Sequence, residues 1–383
     1  MNLFPVYPLF DIEPVRGQGC YVYDKLGHAY LDFYGGHAVI SIGHSHPHFV
    51  KRLQAQLQAL AFYSNSVQNP LQEQLAKKLG QLSGLEDYQL FLCNSGAEAN
   101  ENALKLASFH NGRQKVISFK NSFHGRTSAA VNITDKESIK APINKTFPVE
   151  FHAWNDLDSV AKSLKKGDVC AVIIEGIQGI GGIHIPDAAF LESLAQLCKQ
   201  QDTLLILDEI QSGYGRSGRF FAFQNAKIQP DLVTTAKGMG NGFPIGGVLI
   251  HPRFQGSHGL LGTTFGGSHL ACAAGLAVLE VLEAEKLIEN ARKWGAILLD
   301  ELRHLRGLTA IRGQGLMIGL EFEFPVGDMR KQLLFEHQIF TGSASDANVM
   351  RLLPPLCVGE KEVDLLIGGL TRETIQKVQN SKA

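Results

Sequence analysis

The chain has no surplus of either charge: 36 Lys and Arg stand against 37 Asp and Glu, a net charge of −1. Nucleic acid and anionic membranes are drawn to a broad cationic field, so neither is an expected partner, and any charged ligand must be held locally. Paired cysteines are also missing. The six present, Cys20, Cys93, Cys170, Cys198, Cys272 and Cys357, are scattered without a C-x-x-C. They read as reduced, mostly buried thiols of a cytoplasmic protein. The opening "MNLFPVYPLFDIEP" has no basic segment and carries three prolines. An extended arm suited to lie across a neighbour is expected there, not a signal peptide. The uncharged stretch from Gly259 to Leu279 is interrupted by Gly, Thr, Ser and His in its first half, which argues against a membrane span. Solenoid repeats and low-complexity tracts are absent as well.

What is there is a soluble, globular composition, 44% hydrophobic and 19% charged. At 383 residues the chain exceeds the size at which one core usually splits, so two domains are expected. From about residue 45 to 274, helical patterns such as "HFVKRLQAQLQALAF", "PLQEQLAKKLGQLS" and "AAFLESLAQLCKQQ" alternate with strand-sized runs. These are "YQLFLC", "KVISF", "CAVIIE", "TLLILDE" and "DLVTTA". That order predicts an α/β architecture, a mostly parallel sheet with helices on both faces and ligands at the carboxyl ends of its strands. Residues 1–44 contain a hairpin pattern, "GCYVYDKLGHAYLDF". The tail, 275–383, has a long helix, strand-like "GLMIGLEFEF" and a closing helix from about Lys361. The two ends are expected to meet in a smaller α+β domain.

Four segments carry chemistry. In "CNSGAEANENALKLA", Ser95, Gly96 and Ala97 open a helix where free backbone amides and small side chains suit a phosphate. In "LLILDEIQSGYGR" a buried strand ends on Asp208, an expensive place for a carboxylate unless a cation meets it. A pyridinium nitrogen is such a cation, with Ile210 placed to pack on the ring and Gln211 to reach its phenolic oxygen. In "TTAKGMGNGFPIGG", Lys237 sits on stiff support before a run of glycines, where burial and a cationic ring would lower its pKa and make it a nucleophile. That run is not G-x-G-x-x-G, which counts against a dinucleotide loop. In "FHGRT" and "MRLLPPL", Arg126 and Arg351 are candidate carboxylate forks and Phe123 a stacking ring. The histidines of "GHSHPH" (His44, His46, His48) are interrupted by Pro47 without an adjacent acid or cysteine. No metal is expected there.

The set "NSGAEANE", "FHGRT", "DEIQSGYGRSGRF", "AKGMGNGFPIGG" and "GTTFGGSH" resembles the subgroup-III pyridoxal-phosphate-dependent aminotransferases, most of all the acetylornithine aminotransferase group. The resemblance implies a fold-type-I transferase with a seven-stranded sheet, and pyridoxal 5′-phosphate as cofactor. Lys237 would carry it as a Schiff base and shuttle the proton, Asp208 would meet the pyridine nitrogen, and Gln211 the phenolic oxygen. Gly96 and Ala97 would hold the phosphate. Thr264 would reach the phosphate of the partner subunit's cofactor, which implies a homodimer with shared sites, and Thr263 would approach the substrate. Phe123 would stack on the ring. Arg126 would take the α-carboxylate of an acylated ornithine, and Arg351 that of 2-oxoglutarate or glutamate. The "GHSHPH" run would be a helix entry.

The implied reaction moves the δ-amino group of an N2-acyl-L-ornithine, acetyl or succinyl, to 2-oxoglutarate in arginine biosynthesis. The alternatives are an ornithine or other ω-amino-acid aminotransferase, a same-fold aminomutase or decarboxylase, or a non-catalytic binding protein. Two departures from the family pattern bear on the substrate. "EGIQGIGG" has Ile180 where the family places a glutamate that pairs with the Arg351 position. His37 stands where ornithine δ-aminotransferases have a tyrosine that reads a free α-amino group, so His37 is a candidate contact to the acyl group.

Overall fold

Leu204, Leu205, Ile206 and Leu207 form a strand with no more than 2% of any side chain exposed, and the reason is the sheet around it. The computed structural model describes residues 1–380. Among the described residues, fifteen strands form three sheets. In chain order they are β1 (Pro14–Gln18), β2 (Tyr21–Asp24), β3 (Ala29–Asp32), β4 (Gln89–Cys93), β5 (Lys115–Phe119), β6 (Val149–His152), β7 (Val169–Glu175) and β8 (Leu204–Asp208). There follow β9 (Leu232–Thr235), β10 (Gly246–Ile250), β11 (Leu308–Gln314), β12 (Met317–Phe322), β13 (Ile339–Phe340), β14 (Gly342–Ser343) and β15 (Val349–Leu352).

The central sheet has seven strands in the order β4-β10-β9-β8-β7-β5-β6. The pairs β9-β8-β7-β5-β6 are parallel, and β10 runs antiparallel to both β4 and β9. Two strands, β6 and β10, go beyond the runs legible in the sequence. β10 opens on Gly246 and Gly247, which weaken the apolar pattern, yet those glycines are required. A Cβ at Gly246 would lie 2.7 Å from the Ser95 carbonyl. Because β7 and β8 are parallel and in register, Glu175 and Asp208 end side by side at the carboxyl edge.

Helices cover the sheet. Helix His269–Ala284 is buried around nearly its whole circumference, because helices Pro47–Ala59 and Pro70–Ser83 pack against it. The histidine run does form a helix entry, with His46 as N-cap and Pro47 at the first turn. The fold also gives each histidine an acid that the sequence places far away: Asp32 at 2.8 Å from His44, Glu285 at 2.8 Å from His46, and Glu280 at 2.6 Å from His48.

The expected hairpin is β2–β3, turned by Asp24 Oδ1 accepting the amides of Leu26 and His28, with β1 as a third strand. On its far side β3 pairs in parallel with β13, so chain segments from both ends share one sheet. The third sheet, β11-β12-β15-β14, carries Arg351.

Candidate active site

Asp208 ends β8 and is 4% exposed, and three donors meet it. Its Oδ2 accepts from Asn100 Nδ2 at 2.8 Å and from His124 Nδ1 at 2.7 Å, and its Oδ1 accepts from the Ile210 amide at 3.1 Å. Asn100 is itself fixed: it donates to the His124 carbonyl and accepts from Thr234 Oγ1. The His124 ring is buried and its Nε2 has no partner among the described residues. Nδ1 is therefore the nitrogen that donates, to the Asp208 carboxylate. A network this constrained fixes the aspartate's direction, toward a cavity of about 500 Å³ that it lines together with Lys237.

Lys237 follows β9 with φ +46°, a left-handed conformation that is uncommon for a side chain of this size. Its amine makes no hydrogen bond or ion pair among the described residues. Burial pushes its pKa down; Asp208 and Glu175 oppose that shift and Arg351 adds to it. Burial favours the neutral form of this amine, the form that can attack a carbonyl. The next turn is anchored by Asn241, whose Oδ1 accepts the amides of Ser41 and Ile42 and whose Nδ2 donates to the Gly43 carbonyl.

Ser95 caps helix Gly96–Asn111 by accepting the Glu98 amide, leaving the first-turn amides of Gly96 and Ala97 open to the cavity. Small residues make the approach possible. A Cβ on Gly96 would meet Ile210 at 2.8 Å, and one on Gly125, whose φ is +137°, would meet the Ala97 methyl at 2.7 Å. Phe123 and Ile210 also line the cavity.

Four further residues, two of them arginines, stand at or beside the cavity. Arg126 lines the cavity, is exposed, and has no hydrogen-bond or ion-pair partner among the described residues. Arg351 is 1% exposed and its contacts are neutral: Nε donates to the Ser343 carbonyl at 2.6 Å and Nη1 to Gln211 Oε1 at 3.2 Å. Burial lowers its pKa to about 10, while Tyr34 and Glu175 pull the other way. Gln211 therefore bridges Arg351 to the His37 carbonyl, which its Nε2 meets at 3.0 Å. Gly179 makes that reach possible, since any Cβ there would collide with the Gln211 amide oxygen. His37 belongs to a left-handed turn, with positive φ from Gly35 through Ala38. Its ring contacts the Tyr34 hydroxyl, and burial, Lys237 and Arg351 lower its pKa. Strain of this kind collects where function over-determines the backbone.

The structure thus brings together Ser95, Gly96, Ala97, Phe123, Arg126, Asp208, Ile210, Gln211, Lys237 and His37 around one cavity, with Arg351 reaching it through Gln211. Thr263 and Thr264 do not line it. Thr263 touches its border through Asn94, whose Nδ2 donates to Thr263 Oγ1, and Thr264 is exposed. Sequence reasoning missed Asn100, His124 and Glu175. Glu175 receives the amides of Phe123 and Gly179, and burial, with Asp208 beside it, pushes its carboxyl up to about 7 despite the opposing His124.

A protein-family model described as aminotransferase class-III matches residues 6–373. The chain belongs to the class-III aminotransferases. It is 42% identical to an acetylornithine aminotransferase of Archaeoglobus fulgidus over 95% of this chain and 96% of that one. A Bacillus subtilis acetylornithine aminotransferase is 40% identical over 94% of each. The crystal structure of an ornithine aminotransferase from Toxoplasma gondii superposes with a TM-score of 0.91 at 29% identity, covering 99% of this chain and 93% of that chain.

Class-III aminotransferases use pyridoxal phosphate, and their fold is the type-I α/β architecture described above. The donor set fits that group. Asp208 offers an anion to a protonated ring nitrogen, Lys237 an unpaired amine for the aldehyde, and the Gly96–Ala97 turn open amides for the phosphate.

Proposed function

We propose that this enzyme moves the δ-amino group of an N2-acyl-L-ornithine, acetyl or succinyl, to 2-oxoglutarate, giving the N-acyl-glutamate semialdehyde and glutamate. The observation that carries the reading is a fixed aspartate and a lysine in one cavity, flanked by two arginines, the lysine and both arginines having no carboxylate ion-pair partner among the described residues. Two carboxylate receptors suit a pair of substrates that each carry an α-carboxylate. The relatives' printed names, acetylornithine aminotransferase, supply the substrate class.

Pyridoxal phosphate, when bound, supplies the electron sink for a carbanion. The rest falls to the chain's own residues. Asp208, held by Asn100 and His124, would be the residue to keep a proton on the ring nitrogen. Lys237 takes a proton from the substrate δ-carbon, a role that the lowering of its pKa by burial favours. Gly96, Ala97 and Ser95 would hold the phosphate, and Phe123 and Ile210 would confine the ring. Arg126, at the cavity mouth, orients the acylated ornithine, and Arg351 receives 2-oxoglutarate in place of its Gln211 contact. His37 borders the space for the acyl group.

A homodimer completes the reading. Thr264 lies outside its own cavity, and the apolar arm from Leu3 to Phe10 is exposed. We also place residues 45–274 in the large domain, 275–383 in the small one, 1–44 in an N-terminal arm and part of that small domain, and the activity in cytoplasmic arginine biosynthesis.

The test is a panel of amines against purified holoenzyme, following cofactor absorbance and glutamate formed from 2-oxoglutarate. Acetyl- or succinylornithine should react fastest, and Lys237→Ala should lose at least about a hundredfold in turnover. Free ornithine reacting fastest would move the assignment to ornithine aminotransferase. Absence of glutamate would remove it.

A further inference from the structure

Six cysteines scattered through the sequence give no hint of pairing, but the fold joins two of them across 337 positions. Cys20, just before β2, and Cys357, in the loop after β15, place their sulfurs 3.6 Å apart, with either able to donate to the other. No other two thiols are in hydrogen-bond contact among the described residues. Both line a cavity of about 780 Å³ bordered by Arg16, Tyr23, His46 and Glu362, so small solutes can reach them. The pair is also asymmetric. The hydrogen bond from Cys20 pulls the Cys357 thiol down against burial and the charges of Glu285 and Glu362. That same bond, with burial and the nearby Glu362 and Asp32, pushes Cys20 up. Cys357 is also the more exposed of the two.

We propose that Cys20 and Cys357 form a reversible oxidation site that closes to a disulfide when a peroxide enters this cavity. The Cys357 thiolate attacks one peroxide oxygen and breaks the O–O bond, giving a sulfenic acid and hydroxide. The Cys20 proton neutralises that hydroxide to water. The Cys20 sulfur then attacks the Cys357 sulfur, an S–S bond replaces the S–O bond, and the departing oxygen leaves as water with a proton from solvent. The two sulfurs give up two electrons in all and the peroxide accepts both. A dithiol reverses the bond by two exchanges.

The site sits where it can matter. The Leu356 amide donates to the Ser41 carbonyl, and the Asp32 amide to the Cys20 carbonyl. Gly43 lies close enough that a Cβ on it would be 2.9 Å from Cys357 Sγ. A bond between Cys20 and Cys357 would therefore clamp both flanks of the loop that brings His37 and Val39 to the active-site cavity. The inference holds whatever the substrate is.

The experiment treats the folded full-length holoenzyme with hydrogen peroxide, blocks free thiols with an alkylating agent after denaturation, and maps the peptides. The expected result is a mass loss of two hydrogen atoms and a Cys20–Cys357 cross-linked peptide. Thermal unfolding should move up by several degrees, and dithiothreitol should reverse all of it. In Cys20→Ser, dimedone should label Cys357; in Cys357→Ser, Cys20 should remain alkylatable. Six free thiols after peroxide treatment, a cross-link between other cysteines, or Cys357 oxidised to sulfinic acid beside a free Cys20 would each overturn the proposal. The wild-type map decides even if one variant fails to fold.

Discussion

Burial raises two carboxyls, Glu175 and Glu209, to about 7. Their unfolded value is near 4.5, so the folded state holds their protons more tightly. The stability this contributes is fully present below the unfolded pKa and lost as pH rises through the folded one. Each group is worth roughly 3 kcal/mol across that window. Glu209 is the better probe because it faces away from the cavity and holds Ser212, Ala222 and Phe223. Wild-type unfolding temperature should fall between about pH 5 and pH 8, and Glu209→Gln should remove roughly half of that fall. An unchanged slope in scanning calorimetry would contradict the assignment. At this scale the sequence was most readable where one residue carries its own reason. A carboxylate ending an apolar strand marks Asp208, and a lysine before glycines marks Lys237. Asn100 and His124 meet Asp208 across 108 and 84 positions, and no local pattern encodes contacts that long. His124 stands inside the "FHGRT" motif, but nothing in its spacing says that its ring is buried.

Among elements, the parallel strands announced themselves as apolar runs, whereas β10 begins on two glycines that close packing demands. The left-handed turn from Gly35 to Ala38 was equally unreadable, since two of its four residues are not glycine. What holds such a turn is distant: Asn241 ties residues 41–43 to the turn after Lys237. Truncating Asn241 leaves buried amides without acceptors, each costing about 1–3 kcal/mol. Asn241→Ala should therefore lower stability by at least about 2 kcal/mol in urea unfolding and raise the KM for the acylated amine, since His37 loses its support. Asn241→Asp, which keeps the acceptor, should lose less. Equal losses would show that the amide acceptor is not what matters.

For the whole molecule, the exposed arm is a pronounced apolar feature, with Leu3, Phe4 and Leu9 each at least 86% exposed. Nearby in kind, Phe62 and Phe265 pack ring to ring, 5.4 Å apart, at the surface. Monomers seldom leave such surface uncovered. Sedimentation should give twice the 41.8 kDa chain mass. Removing residues 1–12, which ends short of β1, should shift the protein toward monomer and weaken cofactor retention together. A fully active monomer would separate assembly from function. Thr263 and Thr264 belong to this scale too: their roles were inferred from a resemblance, and a single chain keeps them out of its own cavity.

The left-handed backbone at Lys237 has a consequence for evolvability. About 1–2 kcal/mol of conformational energy is stored at the residue we propose as the cofactor's amine. Glycine would release it but, on that proposal, would abolish turnover. Selection for heat resistance alone would then pull this position away from lysine, and selection for turnover would hold it there.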